Sequence, residues 1–252
     1  MDLLQLPRFT HGNTKLPDSI MIFSLPSGFT CPGAEQCLTM ADRVTGKLTH
    51  GPKQQFRCYS ALAEARHPSV RGSRWHNFEV VTHKTPEQLA ELLILGIRAS
   101  ATTKTTHIRW FGAGDCFSVA LRDAILAASR EADWLVHYLY TKNLPLWLGV
   151  ELPENLRLTA SWGGKFDYLI KEGHFPRSAR VVVTEAEAAT LGLPLDFTDA
   201  HAYDPNPHHF AHLVHGTQSG ELQRRINARA AAGGFRGYGS KRLRPVAQPL
   251  AA

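Results

Sequence analysis

The sequence predicts an α/β fold: a partial TIM barrel of about six parallel βα units, with a cysteine-bearing loop near its N-terminus. Two observations predict it. Apolar runs of strand length alternate with segments of helical periodicity, the pattern of a parallel sheet joined by crossover helices. Several of those runs are apolar at consecutive positions, as strands covered on both faces require. Six units rather than eight leave the barrel incomplete, and an open doubly wound sheet is the competing architecture.

The elements follow in order. "SIMIFSLP" (19–26) is the first strand; the cysteine loop comes next, and "CYSALAEARH" reads as a short helix. Residues 85–101 form a helix with Thr85 as N-cap and Pro86 at the first helical position. "THIRWFGAGD" (106–115) is a strand running into a glycine turn, and a helix over 117–132 follows. The third strand is 134–143, with a short helix in "LPLWLGVEL". The fourth is 155–164, followed by a helical "KFDYLIKEGHF". The fifth is 179–185 with helix "AEAATLGL", and the sixth is 209–216 with a last helix over 220–234. One domain is expected over 1–234, with a basic, flexible tail over 235–252.

The chain has 252 residues, 43% hydrophobic and 20% charged, which suits a soluble protein with a sizeable core. No apolar run approaches the roughly 18 residues that cross a bilayer. The N-terminus lacks the basic region and apolar stretch of a signal peptide. A cytoplasmic location is expected. Lys and Arg outnumber Asp and Glu by 28 to 22, for a net charge of +6. That excess is compatible with a polyanionic partner, and DNA or a modified nucleotide is the expected one.

Three of the four cysteines, Cys31, Cys37 and Cys58, fall in one segment with the spacing C-x5-C-x20-C. Thiols stay reduced in the cytoplasm, so clustered cysteines there point to a metal or to catalysis rather than to disulfides. Three thiolates can hold a four-iron cluster with one iron left open to a small molecule. They can also hold zinc, which needs a fourth ligand from His50, His67 or His76. Cys116 reads as a non-ligand.

"GNTKLP", "FSLPSGFTCPGA", "FRCYSALAEARHPSVR", "IRWFGAGDCFS", "YLYTKN", "LTASWGG" and "FAHLVHG" resemble motifs of a phage family named after a mycobacteriophage gene product, gene product 88. That family resembles in turn a compact branch of the radical S-adenosylmethionine-like barrels. The resemblance implies a [4Fe-4S] cluster on Cys31, Cys37 and Cys58, with S-adenosyl-L-methionine as second cofactor. The wide second gap differs from the C-x3-C-x2-C loop of most such enzymes.

The other candidates sit where strands end. Asp115, on the "GAGD" turn, can accept a proton or bond a ribose; Lys142 in "YTK" can meet an anion; His215 in "VHG" can act as acid or base. Gly112, Gly114, Ser161 and Gly163 offer open backbone or a hydroxyl to a cofactor, and Glu185 lies at the fifth strand end. Asp167 is a weaker candidate, and "RRINAR" (224–229) reads as the solvated face of a helix. The basic, aromatic "GFRGYGSKRLR" (234–244) suits phosphate contact and base stacking. The expected function is an iron–sulfur, radical S-adenosylmethionine-like isomerase or base-modifying enzyme, in thymidine hypermodification of phage DNA. The alternatives are a transglycosylase-like barrel inserting a 7-deazaguanine with a structural zinc, and a non-catalytic nucleic-acid-binding protein with a structural metal.

Overall fold

The computed structural model describes residues 6–238. Its centre is a seven-stranded, mostly parallel sheet: β1 (Phe9–His11), β2 (Ile20–Phe23), β5 (His107–Trp110), β6 (Val136–Thr141), β7 (Leu156–Ser161), β8 (Ser178–Val182) and β9 (His209–Leu213), hydrogen-bonded in that order. Only β1 runs antiparallel to its neighbour; β2 through β9 are parallel. Each parallel strand therefore lies beside the next one in sequence, as in a barrel wall, but β1 and β9 end the row and the sheet is not closed. All six expected strands are present.

The helices among the described residues are α1 (Tyr59–Arg66), α2 (Pro68–Val81), α3 (Pro86–Ser100), α4 (Val119–Glu131), α5 (Asp167–Lys171), α6 (Glu185–Thr190), α7 (Ala200–Tyr203) and α8 (Gly220–Ala231). Thr85 caps α3 through a full capping box with Gln88, and Ser118 rather than Asp115 caps α4. The segment after β6 makes one 3-10 turn, Leu144–Trp147. No helix among the described residues is long and apolar enough to cross a membrane.

Alternation along the strands separates two faces. Met21, Phe23, Ile108, Trp110, Leu139 and Ala160 point to α3, α4 and α5 and form the main core with Leu93, Ile97, Leu121 and Ile125. Ile20, Ile22, Tyr138, Ala179 and Phe210 point the other way, where Leu16 and Ala202 of α7 close one end. A third cluster under α6 joins Val182, Ala188, Leu213 and Phe235. Phe235 is buried, so ordered packing continues past 234 into the expected tail. The remaining tail residues, 239–252, lie outside the described residues.

Five elements were not anticipated: β1, β3, β4, α2 and α7. β3 (Thr39–Ala41) and β4 (Leu48–His50) form a hairpin inside the cysteine loop, and β1 extends the sheet. Helix α2 carries Gly72 mid-helix and buries Arg71 and Asn77, so it shows little apolar periodicity.

Candidate active site

The parallel strands end at a cavity of about 900 Å³. This is the end at which α/β sheets bind ligands, because the connecting loops gather there. The cysteine loop, α1, the turns after β2, β5, β6 and β9, and residues 236–238 wall it.

Cys31, Cys37 and Cys58 all line it. The hairpin closes the long sequence gap between the last two. Thr39, two residues after Cys37, accepts a hydrogen bond at its Oγ1 from the Cys58 amide at 3.2 Å, and the Gln36 carbonyl accepts from Gln55 and Phe56. Cys31 sits on the turn after β2, where its Sγ accepts from the Gly28 amide at 3.3 Å. Cys58 is the N-cap residue of α1, and the Ser60 and Ala61 amides favour its thiolate.

Burial outweighs those amides. It pushes the Cys58 thiol up to about 11, with Cys37 adding to the rise. The Cys31 thiol is also raised well above its ordinary value by burial, by Asp115 and by the other two sulfurs. Cys31 and Cys58 thus resist ionisation without a cation nearby, and a bound metal reverses that balance. Three thiols bordering one cavity are a donor set of the kind that thiophilic metals take. It does not fit one tetrahedral zinc as it stands. Zinc–sulfur bonds of 2.3 Å place sulfurs about 3.8 Å apart, whereas the three Sγ atoms do not all lie within 4.8 Å of one another. His50, His67 and His76 do not line the cavity; His50 meets Gln54 and His76 the Leu6 carbonyl.

Asp115 is buried, and both carboxylate oxygens are engaged: Oδ1 accepts from the Cys116 amide at 2.7 Å, Oδ2 from the Lys142 amide at 2.8 Å. Burial raises its pKa to about 6 against those bonds. It thus ties the β5 turn to the end of β6. Lys142 continues the chain of contacts, its ammonium donating to Ser161 Oγ at 2.6 Å and to the Trp162 carbonyl. Phe111, buried at φ 57, sets the start of the β5 turn in a left-handed conformation rare for aromatic residues. It leaves the Gly112 carbonyl free to accept from Tyr59 and Ser60. Gly114 is held at φ +77, where a Cβ would meet Thr30 Oγ1 at 2.5 Å, so only glycine lets the two loops touch.

His215 lines the cavity beside the Tyr59 ring, centroids 4.6 Å apart, and burial lowers its pKa to about 4. It is a neutral base at physiological pH. Deeper along the same face lies a network absent from the sequence reading. Asp199, buried, accepts from Lys15, from Arg109 at 2.6 Å and from the Tyr138 hydroxyl at 3.2 Å. His212 bridges the Asp196 carbonyl and the Tyr140 hydroxyl. Asp196, Asp199 and His212 bring ligand atoms within 4.8 Å of one another. The Lys15 ammonium and Arg109 guanidinium already supply positive charge to Asp199, which makes this a poor cation site. The legible signal was Arg109, a charge within the apolar strand "HIRW".

Gly163, Glu185 and the weaker candidate Asp167 fall outside the cavity. The Gly163 carbonyl accepts from the Glu35 and Gln36 amides, pinning the cysteine loop to the β7 turn, while Asp167 accepts from the Gly163 and Gly164 amides. Glu185 accepts from the Phe235 amide at 3.0 Å and anchors the segment after α8. Cys116 is buried in the main core with its thiol against the Ser118 carbonyl. In "RRINAR" Arg229 is not solvated. It is buried and donates to the Phe235, Val183 and Val214 carbonyls.

No curated protein and no solved structure matches this chain. The family model described as Gene product 88 matches residues 5–234. The match takes in every strand, all eight helices and each of the three cavity cysteines, and the chain belongs to the gene product 88 family.

Proposed function

We propose that the chain is an iron–sulfur enzyme that modifies or rearranges a nucleobase, with thymidine hypermodification of phage DNA as its setting, and that its open sheet is a partial barrel. The observation that carries this reading is the presence of Cys31, Cys37 and Cys58 in the lining of one cavity at the strand ends. Cys31, Cys37 and Cys58 would hold a [4Fe-4S] cluster, with S-adenosyl-L-methionine beside it. When bound, the pair supplies a one-electron reduction that cleaves the sulfonium and starts hydrogen abstraction.

The chain's own residues have narrower tasks. Asp115, with both oxygens on backbone amides, is a positioning residue that fixes the Lys142 main chain. Lys142 directs a positive charge at the cavity while Ser161 and the Trp162 carbonyl hold its ammonium. His215 keeps Nε2 available as a neutral acceptor against the Tyr59 face. The occupied Asp115 oxygens and the sulfur spacing both weigh against a zinc-containing transglycosylase with Asp115 as nucleophile.

Anaerobic purification followed by iron and sulfide analysis tests the proposal. Brown protein containing both, and loss of both in Cys31→Ser, Cys37→Ser and Cys58→Ser, is the expected result. Colourless, iron-free protein after reconstitution sinks it.

A further inference from the structure

Eight basic side chains and a single carboxylate, Asp115, line the cavity. Four of the eight are committed. Lys15 and Arg109 pair with Asp199, Arg74 pairs with Glu64, and Lys142 donates to Ser161 and Trp162. The other four, Arg8, Arg57, Arg66 and Arg236, meet no carboxylate within 4.0 Å among the described residues, and of these Arg66 gives one N–H to Thr217 Oγ1 at 2.7 Å. Arg8 precedes β1, Arg57 and Arg66 flank α1, and Arg236 follows α8, so they come from separate segments of the wall.

Two of these arginines are held in a particular way. Arg8 donates its amide to Asn77 Oδ1 at 2.7 Å, and its carbonyl accepts from Asn77 Nδ2 at 2.9 Å. Arg57 donates its amide to Gln218 Oε1 at 2.7 Å, and its carbonyl accepts from Gln218 Nε2 at 3.1 Å. Asn77 and Gln218 are 2% and 4% exposed. Each main chain is thus clamped from both sides by a buried amide, yet neither guanidinium has a hydrogen-bond partner among the described residues. Structural arginines of this chain behave oppositely: Arg71, Arg177 and Arg229 spend their guanidinium groups on backbone carbonyls. A planar fork held ready and left uncommitted matches phosphate. Phe56, Tyr59 and Tyr238 line the same cavity and offer aromatic faces to a base.

We infer that Arg8, Arg57 and Arg66 hold the phosphates of a nucleotide-bearing substrate whose base enters the cavity, with Asn77 and Gln218 positioning the first two. This deepens the proposed function and rests on its reading of the cavity as a nucleobase site. Phosphates on a strand and on a free nucleotide share this chemistry, and the probes separate them.

The test is fluorescence anisotropy of full-length protein with a labelled single-stranded oligothymidylate, with thymidine 5′-monophosphate as competitor. Three phosphate contacts on a single strand predict an affinity about 18-fold weaker at 200 than at 50 mM salt. Arg8→Ala, Arg57→Ala and Arg66→Ala should each lower the slope of log affinity on log salt by about 0.7. Arg130→Ala, exposed on α4 outside the cavity, should leave it unchanged. Melting temperatures establish that each variant is folded. Arginine-dependent binding of the strand alone assigns a polymer, and arginine-dependent competition by the mononucleotide assigns a free nucleotide; both support the inference. Equal effects of Arg130→Ala and the three rim variants, or no binding of either probe, overturn it. The titration reads binding without turnover, so the two readings fail separately. Iron-free protein with an arginine-dependent slope removes only the cluster, and iron-loaded protein without one removes only the phosphate contacts.

Discussion

Replacing Asp199 with asparagine should cost about 3–5 kcal/mol, the range found when one partner of a buried ion pair is removed. The structure makes this a clean change. Asp199 adopts φ 67 at the start of α7, and asparagine tolerates that left-handed backbone as well as aspartate does. The two side chains also have nearly the same volume, so the loss is one of charge. What remains is Lys15 and Arg109, with side chains only 13% and 11% exposed, both deprived of their ion-pair partner. Water screens them poorly at that depth. For a chain of this length each kcal/mol moves the melting temperature by about 2–4 °C, so a fall of about 6–20 °C is expected. Urea unfolding followed by tryptophan fluorescence gives the free energy directly. Glu131→Gln breaks the exposed pair with Arg98 and serves as the control, with an expected cost under about 1 kcal/mol. Adding Lys15→Met to Asp199→Asn should recover part of the loss by removing one orphaned charge. A cost below about 1 kcal/mol for Asp199→Asn would refute the assignment of this network as the electrostatic centre of the fold.

Two further outcomes follow from the same chemistry. His137, His212 and His215 have pKa values lowered by burial from 6.5 to about 4, so the unfolded chain binds protons that the folded chain refuses. Stability should therefore fall as pH drops from about 6.5 toward 4, by about 3 kcal/mol per histidine. Asp115, raised to about 6, works in the opposite direction over much of that window, but it is one group against three. Urea midpoints higher at pH 5 than at pH 7.5 would contradict this balance. Gly114→Ala places a Cβ 2.7 Å from Leu25 Cβ at φ +77. Backbone strain alone makes it cost about 1–3 kcal/mol in chemical denaturation, and an unchanged midpoint would mean that the turn relaxes freely.

The strands were legible because a sheet covered on both faces writes itself as apolar runs, and "SIMIF", "WLVHYLY" and "ARVVV" do so plainly. Helix α3 announced itself through Thr85, Pro86 and Gln88. The hairpin of β3 and β4 left no such trace: its strands are three residues long and are held by Thr39 and the Gln36 carbonyl rather than by an apolar pattern. Strand-end position correctly brought Asp115, Lys142 and His215 to one cavity. It misled for Glu185 and Gly163, which also follow strands but spend their polar groups on neighbouring backbone. Position along a strand says which end a residue occupies, not which way its side chain turns. The Asp199 network was hidden because its members, Lys15, Arg109, Tyr138 and His212, are dispersed over the chain, and only the sheet's register collects them.

A closed wall of strands has a bore dictated by strand count and stagger. Here the row of hydrogen bonds runs from β1 to β9 and then stops, and residues of both terminal strands, Thr10 and Leu213, border the hollow. Such a wall has a seam. Across that seam no inter-strand ladder fixes the spacing, and side-chain contacts take its place, the Lys15–Asp199 pair joining the β1–β2 connection to the β8–β9 connection.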